Sequence, residues 1–287
     1  KNAIKVDYNA SMSKTLTKSG LTIPLIGLGT WELRGRKCKK VVRKSLELGY
    51  RHIDTAAMYE NESEVGSGIV DSGVDRKEIF LTTKINTIEV NNEGIVDAFH
   101  KSLSDLKTDY VDLLLIHWPA FSTNLGDMLE IMYGIKESKK ARAIGVSNFN
   151  TTLLNECTRL GFEDIYCNQV EYHPFLSQEI LLKKMNEMGV IPVAYCPLCR
   201  GDVTKDSVII ELSEKYNKTP SQVTLRWIIQ QNAVVIPKSA KKRRLKENID
   251  IYDFEIDNQD MDRIHSLARD QRLVPNTDTN PLLGAWD

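Results

Sequence analysis

Short apolar runs alternate with segments of helical periodicity along the chain. The apolar runs are bounded by turn residues, which is typical of strands buried on both faces of a parallel sheet. The segments between them place apolar residues three or four positions apart, and glycines that suit helix C-termini precede several strands. The pattern predicts eight strands, at Leu25–Gly29, Tyr50–Ala56, Ile79–Ile85, Val111–Trp118, Ala143–Ser147, Ile165–Glu171, Val190–Tyr195 and Ala233–Ser239.

Eight strands that are each followed by a helix favour an α/β fold of the (β/α)8 (TIM) barrel type. Ahead of the first strand, Lys14–Thr17 and Leu21–Pro24 predict a short hairpin that covers the bottom of the barrel. After the eighth unit, Gln259–Ala268 predicts an extra helix, and Arg272–Asp287 forms a polar tail. Because the chain contains no linker, we expect residues 1–287 to form a single barrel domain.

A doubly wound sheet would show the same alternation of strands and helices. Its mark is a Gly-x-Gly-x-x-Gly run after the first strand. Here the run reads Gly27-Leu28-Gly29-Thr30-Trp31-Glu32, so the third glycine is absent and Trp31 stands where a helix would approach phosphates. The dinucleotide-binding sheet therefore loses its main support.

Composition narrows the class of protein. The chain has 287 residues, of which 41% are hydrophobic and 27% charged, and this balance excludes disorder as a description of the whole. No stretch approaches the ~18 apolar residues of a spanning helix, so an integral membrane protein is excluded. Because 38 Lys and Arg residues face 39 Asp and Glu residues, no global charge attracts nucleic acid or a membrane surface.

The five cysteines are too few for a disulfide framework. With no secretory segment visible at the start of the sequence, we expect a reduced, cytoplasmic enzyme. Cys196 and Cys199 form a Cys-x-x-Cys pair, which occurs in thiol redox sites and zinc sites. No second pair accompanies it and no thioredoxin-like helix follows, so a redox role is disfavoured.

Ionisable residues follow three consecutive predicted strands. Asp54 ends the second strand and Tyr59 lies in the following loop, while Lys84 and His117 end the third and fourth strands. Taken singly, each has a structural explanation, such as a helix cap or a buried histidine. Since catalysis in (β/α)8 barrels takes place where strands end, their joint position predicts an active site.

These four residue types together make a proton donor. A Lys ammonium favours the phenolate, so we expect it to lower the pKa of Tyr59. Asp54 would keep Lys84 charged, and His117 would orient a substrate carbonyl towards the phenol. The set contains no hydride source, so reduction of the carbonyl requires a cofactor.

The sequence resembles the aldo-keto reductases, and in particular their compact microbial aldehyde and ketone reductases. Four motifs carry the resemblance, in the expected order: Gly49–Ala56 with Tyr59, Leu115–Pro119, Gly145–Phe149, and Ile236–Ser239. The resemblance implies that Tyr59 is the general acid, with Asp54, Lys84 and His117 around it. It also implies NADPH/NADP+ as cofactor and a small carbonyl compound as substrate.

The resemblance further implies which residues bind the cofactor and line the pocket. The cofactor residues would be Thr30, Ser147, Asn148, Gln169, Tyr195, Leu198, Lys238, Ser239, Arg244 and Asn248. The pocket walls would be Trp31, Trp118 and Trp286. Lys238 and Arg244 supply positive charge, and Arg244 lies in a predicted first helical turn, so we expect preference for the 2′-phosphate of NADPH.

Several other functions compete with the reductase. A regulatory protein could keep the fold and sense bound cofactor, although binding alone needs no tuned acid. A cofactor-free barrel isomerase or lyase is the second alternative. A metal site at Asp54, His117 and His173 is disfavoured by the neighbouring Lys84, so we expect none. The basic run Lys241–Arg244 predicts a solvated helical turn, and we expect no nucleic acid or membrane partner and a monomer or weak dimer.

Overall fold

The computed structural model of the chain describes residues 5–7, 15–86, 92–119 and 124–274. An antiparallel sheet opens the fold and consists of β1 (Lys5–Asp7), β2 (Thr15–Lys18) and β3 (Leu21–Pro24). The predicted hairpin is confirmed as β2 and β3. The third strand, β1, pairs with β2 and was not predicted.

Eight parallel strands follow, and their order in the sheet is the same as their order in the chain. They are β4 (Leu28–Gly29), β5 (His52–Asp54), β6 (Phe80–Ile85), β7 (Val111–Ile116), β8 (Ala141–Ser147), β9 (Cys167–Glu171), β10 (Ile191–Tyr195) and β11 (Val234–Val235). Each lies within or overlaps a predicted strand. The residues of β7 are all buried, as expected for a strand covered on both faces.

Hydrogen bonds between the first and last of these strands close the sheet into a barrel. The backbone N–H of Gly27 donates to the carbonyl of Val235 at 2.8 Å, and the N–H of Val235 donates to the carbonyl of Leu25 at 2.8 Å. Ile26 and Val235 form a parallel bridge at the same place. The predicted (β/α)8 barrel is therefore confirmed.

Helices surround the barrel, and at least one follows every barrel strand. They are α1 (Gly35–Glu47), α2 (Glu62–Ser72), α3 (Ile95–Leu106), α4 (Leu125–Glu137), α5 (Thr151–Arg159), α6 (Glu179–Met188), α7 (Ser207–Lys215), α8 (Pro220–Ile229), α9 (Lys242–Ile249) and α10 (Asn258–His265). Two of them, α7 and α8, lie between β10 and β11. The predicted extra helix is α10.

The N-terminal sheet packs against the bottom of the barrel, where the strands begin. Lys18 is buried and donates from Nζ to the carbonyl of Ile165, just ahead of β9. The hydroxyl of Tyr166 donates to the carbonyl of Leu21 at 2.9 Å. These contacts hold β2 and β3 at the end of the barrel opposite to the C-terminal ends of the strands.

Amphipathic periodicity explains how the helices pack. In α1, the buried side chains are Cys38, Val41, Val42, Ser45 and Leu46, which lie on one face, while the intervening Lys and Arg residues point to solvent. None of the helices in the described ranges combines the length and apolar character that crossing a membrane requires.

Candidate active site

Four ionisable side chains meet at the C-terminal edge of the barrel. Asp54 is the last residue of β5, Lys84 lies near the end of β6, and His117 directly follows β7. Tyr59 ends a short 3-10 helix, Ala57–Tyr59, that leads from β5 towards α2. Because neighbouring parallel strands end at one edge, the order of the strands brings the four side chains together, as the sequence predicted.

Lys84 lies at the centre of this group and is fully buried. Its ammonium donates to Asp54 Oδ1 at 2.5 Å, to the carbonyl of Thr55 at 2.8 Å and to the hydroxyl oxygen of Tyr59 at 3.3 Å. Burial acts to lower the pKa of Lys84, but the charges and hydrogen bonds of Asp54 and Tyr59 outweigh it and raise the pKa. Lys84 is therefore a cation in this site.

The pKa of the Tyr59 phenol lies above its ordinary value, although the Lys84 ammonium lowers it as predicted. Burial raises the pKa most, the Lys84 ammonium lowers it, and the Asp54 carboxylate raises it further. The sequence showed the neighbouring cation but not the enclosure of the phenol. Lys84 therefore limits the rise in pKa, and the phenol remains protonated at neutral pH, as a proton donor must be.

His117 completes the group as a neutral imidazole. Its ring meets the ring of Tyr59 edge-on, with centroids 5.6 Å apart and an interplanar angle of 77°. Burial first, and then the charge of Lys84, hold the pKa of His117 well below its ordinary value. Its Nδ1 is buried and finds no hydrogen-bond partner among the described residues. The neutral ring thus keeps a polar atom available for a bound molecule.

Asn61, which was not predicted as a site residue, supports the group. It occupies the N-cap position of α2 but does not cap that helix. Its side-chain amide instead donates to the carbonyls of Thr30 and Leu33, and its Oδ1 accepts from the hydroxyl of Thr55. Thr30, one of the predicted cofactor residues, also donates its hydroxyl to the carbonyl of Asp54 at 3.0 Å. Only the buried position of Asn61 distinguishes it from an ordinary cap.

Gln169 links the predicted cofactor residues to the ionisable group. It lies in β9, and its Nε2 donates to Asp54 Oδ2 at 2.7 Å. Since Lys84 uses the other oxygen of Asp54, the carboxylate is fixed from both sides. Ser147 ends β8 and donates its hydroxyl to the carbonyl of Gln169 at 2.8 Å.

Asn148 and Tyr195 extend this link to His117, which follows β7, and to the end of β10. Asn148 has a positive φ of 63° and donates from Nδ2 to the carbonyl of His117 at 3.0 Å. The hydroxyl of Tyr195, at the end of β10, donates to Asn148 Oδ1 at 2.8 Å. The structure therefore joins these predicted cofactor residues to one another and to the ionisable group.

The four remaining predicted cofactor residues follow the eighth barrel strand in the chain. Arg244 is exposed in the first turn of α9, as predicted, and Asn248 is buried four residues later. Neither an acidic residue in the first turn nor a side-chain cap neutralises the N-terminal end of α9. This end of the helix therefore attracts anions.

Lys238 and Ser239 lie between β11 and α9. Lys238 is exposed, and its Nζ lies 3.5 Å from Glu32 Oε2, a weak pairing across the loop after β4. The hydroxyl of Ser239 accepts from the backbone N–H of Lys241 at 3.1 Å. Ser239 therefore contacts the residue that precedes α9, and the described contacts join neither side chain to the ionisable group.

The predicted pocket walls differ in their surroundings. Trp31 is 44% exposed, and the guanidinium carbon of Arg200 lies 5.7 Å from the centre of a Trp31 ring. Trp118 is half-buried directly after His117. Leu198, which was predicted as a cofactor residue, is half-buried in the loop after β10. Trp286 lies outside the described residues.

The Cys-x-x-Cys pair lies in the loop after β10, and both thiols are free. Burial raises the pKa of Cys196 to about 11 and that of Cys199 to about 12. Both thiols are therefore protonated at neutral pH, which opposes thiolate chemistry. Asp54, His117 and His173 were considered as metal ligands; Asp54 pairs with Lys84, and His173 pairs with Glu171.

A (β/α)8 barrel with a buried Asp–Lys pair, a tyrosine and a histidine at its C-terminal edge defines the class of protein. The model of the "Aldo/keto reductase family" matches residues 25–269, and the chain belongs to this family. Membership makes the chain an oxidoreductase that acts on carbonyl groups, in a family that uses nicotinamide cofactors.

Individual relatives cover nearly the whole chain. A glyoxal reductase of Bacillus subtilis is 41% identical over 261 residues, which are 91% of this chain and 94% of the relative. A 9,11-endoperoxide prostaglandin H2 reductase of Trypanosoma cruzi is 37% identical over 274 residues, 94% of this chain and 96% of the relative.

Solved structures agree with this assignment. The crystal structure of a putative 2,5-diketo-D-gluconic acid reductase B superposes with a TM-score of 0.88 at 38% identity, covering 92% of this chain and 94% of that chain. The aldo-keto reductase of Bombyx mori in complex with NADP superposes with a TM-score of 0.85 at 32% identity, covering 90% and 94%.

Proposed function

We propose that the chain reduces aldehydes and ketones to alcohols with NADPH, and that Tyr59 is the general acid. One observation carries this proposal. The buried ammonium of Lys84 lies 2.5 Å from Asp54 and 3.3 Å from the Tyr59 hydroxyl, beside the ring of a neutral His117. A site that only bound a ligand would have no need of a buried cation beside a protonated phenol.

Each residue of the group has a distinct part in the reduction. Bound NADPH would supply the hydride to the carbonyl carbon. Tyr59 donates its proton to the carbonyl oxygen as negative charge develops there, and His117 donates a hydrogen bond that orients this oxygen. Lys84 stabilises the phenolate that remains, while Asp54 keeps Lys84 charged and in place.

The residues present fit a nicotinamide dinucleotide. The unpartnered Nδ1 of His117 and the uncapped, cationic end of α9 are polar features that a bound molecule would satisfy. The residues proposed to hold the nicotinamide end are Thr30, Ser147, Asn148, Gln169, Tyr195 and Leu198. Those proposed to hold the adenosine phosphates are Lys238, Ser239, Arg244 and Asn248, and their positive charges favour NADPH over NADH.

The substrate is proposed to be a small carbonyl compound. Trp31, which is 44% exposed, and Trp118, which directly follows His117, are proposed as the apolar walls of its pocket. The glyoxal reductase relative makes short dicarbonyl compounds a sensible first choice among substrates. The other carbonyl compounds to be tested are sugars, keto acids, quinones and ketosteroids, whose different sizes report the size of the substrate pocket.

A single-turnover experiment tests the proposal. NADPH is first titrated into the protein by fluorescence, and the loaded protein is then mixed with glyoxal while the nicotinamide absorbance is followed. We expect rapid loss of the reduced nicotinamide and formation of the alcohol. Tight NADPH binding without oxidation by any carbonyl in the set would instead indicate a cofactor-sensing protein, and no NADPH binding would indicate an isomerase or lyase.

A further inference from the structure

A buried carboxylate outside the proposed reaction holds the end of the described chain. Glu171 is the last residue of β9 and is fully buried. Its Oε1 accepts from the backbone N–H of Leu273 at 2.7 Å, and its Oε2 accepts from the N–H of Val274 at 2.8 Å. His173, also fully buried, donates from Nε2 to Oε1 at 2.9 Å. Both carboxylate oxygens therefore accept hydrogen bonds, and two of these three bonds come from the backbone of Leu273 and Val274.

Glu171 is ionised despite its burial. Desolvation acts to raise the pKa of Glu171, but the hydrogen bonds from His173 and from the two backbone N–H groups lower it below its ordinary value. Hydrogen bonds to a charged acceptor are about twice as strong as neutral ones. The carboxylate is thus a strong anchor for the segment that it binds.

This segment, residues 267–274, is called the C-terminal strap. The backbone N–H groups of Arg269 and Gln271 donate to the carbonyl of Phe175 at 3.1 and 3.0 Å. The guanidinium carbon of Arg269 lies 3.8 Å from the centre of the Phe175 ring. The strap is therefore fixed to the loop after β9 at several points besides Glu171.

The strap also reaches the loop after β10. Leu273 packs against a small apolar cluster that contains Phe175 and Cys199, and Leu198 packs against the same cluster. The side chain of Gln271 donates to Cys199 Sγ and to Asp202 Oδ2, each at 3.3 Å. The strap thus supports the loop that carries Leu198, one of the proposed cofactor contacts.

Tyr195 is the neighbour of Glu171 on the adjacent barrel strand, opposite it in the register of β9 and β10. Its hydroxyl donates to Asn148, which in turn donates to the carbonyl of His117. A change at Glu171 therefore acts on the wall of the cleft without touching the proton donor.

We propose that Glu171 is a positioning residue, which fixes the C-terminal strap and so holds Tyr195 and Leu198 against the bound dinucleotide. This inference rests on the proposed function, because it requires that a nicotinamide dinucleotide occupies the cleft. None of the described contacts of Tyr195 and Leu198 involves Arg244, the residue proposed to bind the 2′-phosphate. Glu171 should consequently affect NADPH and NADH alike.

The substitution Glu171→Gln tests the inference, because it keeps the shape of the side chain and removes one acceptor and the charge. Three quantities are measured: backbone hydrogen exchange in 271–274, the dissociation constants of NADPH and NADH, and the pH profile of single-turnover hydride transfer at saturating cofactor. We expect faster exchange, an increase of about tenfold in both dissociation constants, and an unchanged pH profile.

Asp112→Asn provides a matched control at the opposite end of the barrel. Asp112 is also a buried carboxylate that accepts a backbone N–H, from Leu81, together with the guanidinium groups of Arg76 and Arg142. Its loss should lower the free energy of unfolding but leave both dissociation constants unchanged. If Glu171→Gln does not fold, Val274→Pro removes one donor of the strap, leaves the carboxylate intact and should reproduce the result more weakly.

The outcomes separate the inference from the proposed function. Faster exchange in 271–274 with unchanged dissociation constants would overturn the inference, and so would unchanged exchange or an effect on NADPH alone. Failure of the wild-type protein to oxidise NADPH with any carbonyl would overturn the proposed function instead, and that experiment does not involve Glu171.

Discussion

At the scale of single residues, the site depends on a buried lysine whose three donors are all used. A buried ammonium without partners would lose its proton, whereas Lys84 has Asp54, the Thr55 carbonyl and the Tyr59 hydroxyl within reach. The cation in turn limits the rise in the pKa of the phenol. The proton donor is therefore a property of the pair and not of Tyr59 alone.

Lys84→Met is the first prediction, since it removes the charge and keeps most of the stem. Without the ammonium, the pKa of Tyr59 should rise further, and the phenolate that forms during reduction loses its stabilising charge. The reduction rate should fall by ~10²-fold or more. Because reduction needs the protonated phenol, the alkaline limb of the profile of kcat/KM against pH should move to higher pH.

Lys18→Met is the matched control for this experiment. Lys18 is the other buried lysine discussed above, but it binds Ile165 at the opposite end of the barrel. Its loss should lower stability without moving the pH profile. An unmoved alkaline limb in Lys84→Met would show that Lys84 has only a structural role.

Much of the site could be predicted from residue types and their places after strands. Asp54, Tyr59, Lys84 and His117 were expected together, and the strand order brings them together. The lowering of the pKa of Tyr59 by Lys84 was predicted, but the larger rise caused by burial was not, because a sequence shows a neighbouring charge but not the enclosure of a side chain. Asn61 and Glu171 were missed for the same reason, since both act through backbone groups that are distant in the sequence.

At the scale of elements, alanine substitutions at two helical glycines should change the free energy of unfolding in opposite directions. An alanine Cβ at Gly66 of α2 would lie 2.6 Å from the backbone carbonyl of Leu106, whereas at Gly134 of α4 it would meet nothing within 4 Å. Alanine is the better helix former by ~1 kcal/mol. We therefore expect Gly134→Ala to raise the free energy of unfolding by ~0.4–1 kcal/mol.

Gly66→Ala should lower that free energy, because α2 and α3 would have to move apart. Overpacking of this kind costs ~1–3 kcal/mol. Urea unfolding of both variants measures the two changes under the same conditions. A stabilised Gly66→Ala would contradict the close approach of α2 to the end of α3.

The cationic end of α9 leads to a prediction on cofactor choice. Arg244 is exposed in the first turn, where free backbone N–H groups add to its charge. Hydrogen bonds to a charged group contribute ~1.5–3 kcal/mol, so the loss of the guanidinium in Arg244→Ala should weaken NADPH binding by ~10–150-fold. NADH binding should stay close to its starting value, and high salt should reduce the difference.

The dissociation constants of both cofactors for Arg244→Ala provide the measurement. Equal losses for NADPH and NADH would show that Arg244 does not contact the 2′-phosphate. The contrast with Glu171→Gln is useful, since that variant should weaken both cofactors alike.

The elements themselves were largely predictable, with exceptions that have physical causes. The predicted strands Leu25–Gly29 and Ala233–Ser239 shorten to the two-residue strands β4 and β11, which lie at the closure of the barrel. The strand β1 was missed since its three residues carry too short a pattern. The two helices between β10 and β11 depart from the simple alternation that the sequence predicted.

At the scale of the whole molecule, the two ends of the barrel differ in the kinds of contact that they carry. The bottom carries the N-terminal sheet and the buried Asp112 with its two arginines, all of which are contacts between structural elements. The top carries the ionisable group, the linked residues from β8 to β10 and the C-terminal strap. This division agrees with the general placement of active sites in (β/α)8 barrels.

The central claim is that Tyr59 donates the proton during NADPH-dependent carbonyl reduction. Its most direct test is single-turnover hydride transfer in Tyr59→Phe, with NADPH bound beforehand and glyoxal added in excess. The substitution removes one oxygen, so NADPH should bind with an unchanged dissociation constant while the transfer rate falls by ~10²–10⁴-fold. A variant that binds NADPH normally and keeps most of the wild-type rate would contradict the mechanism.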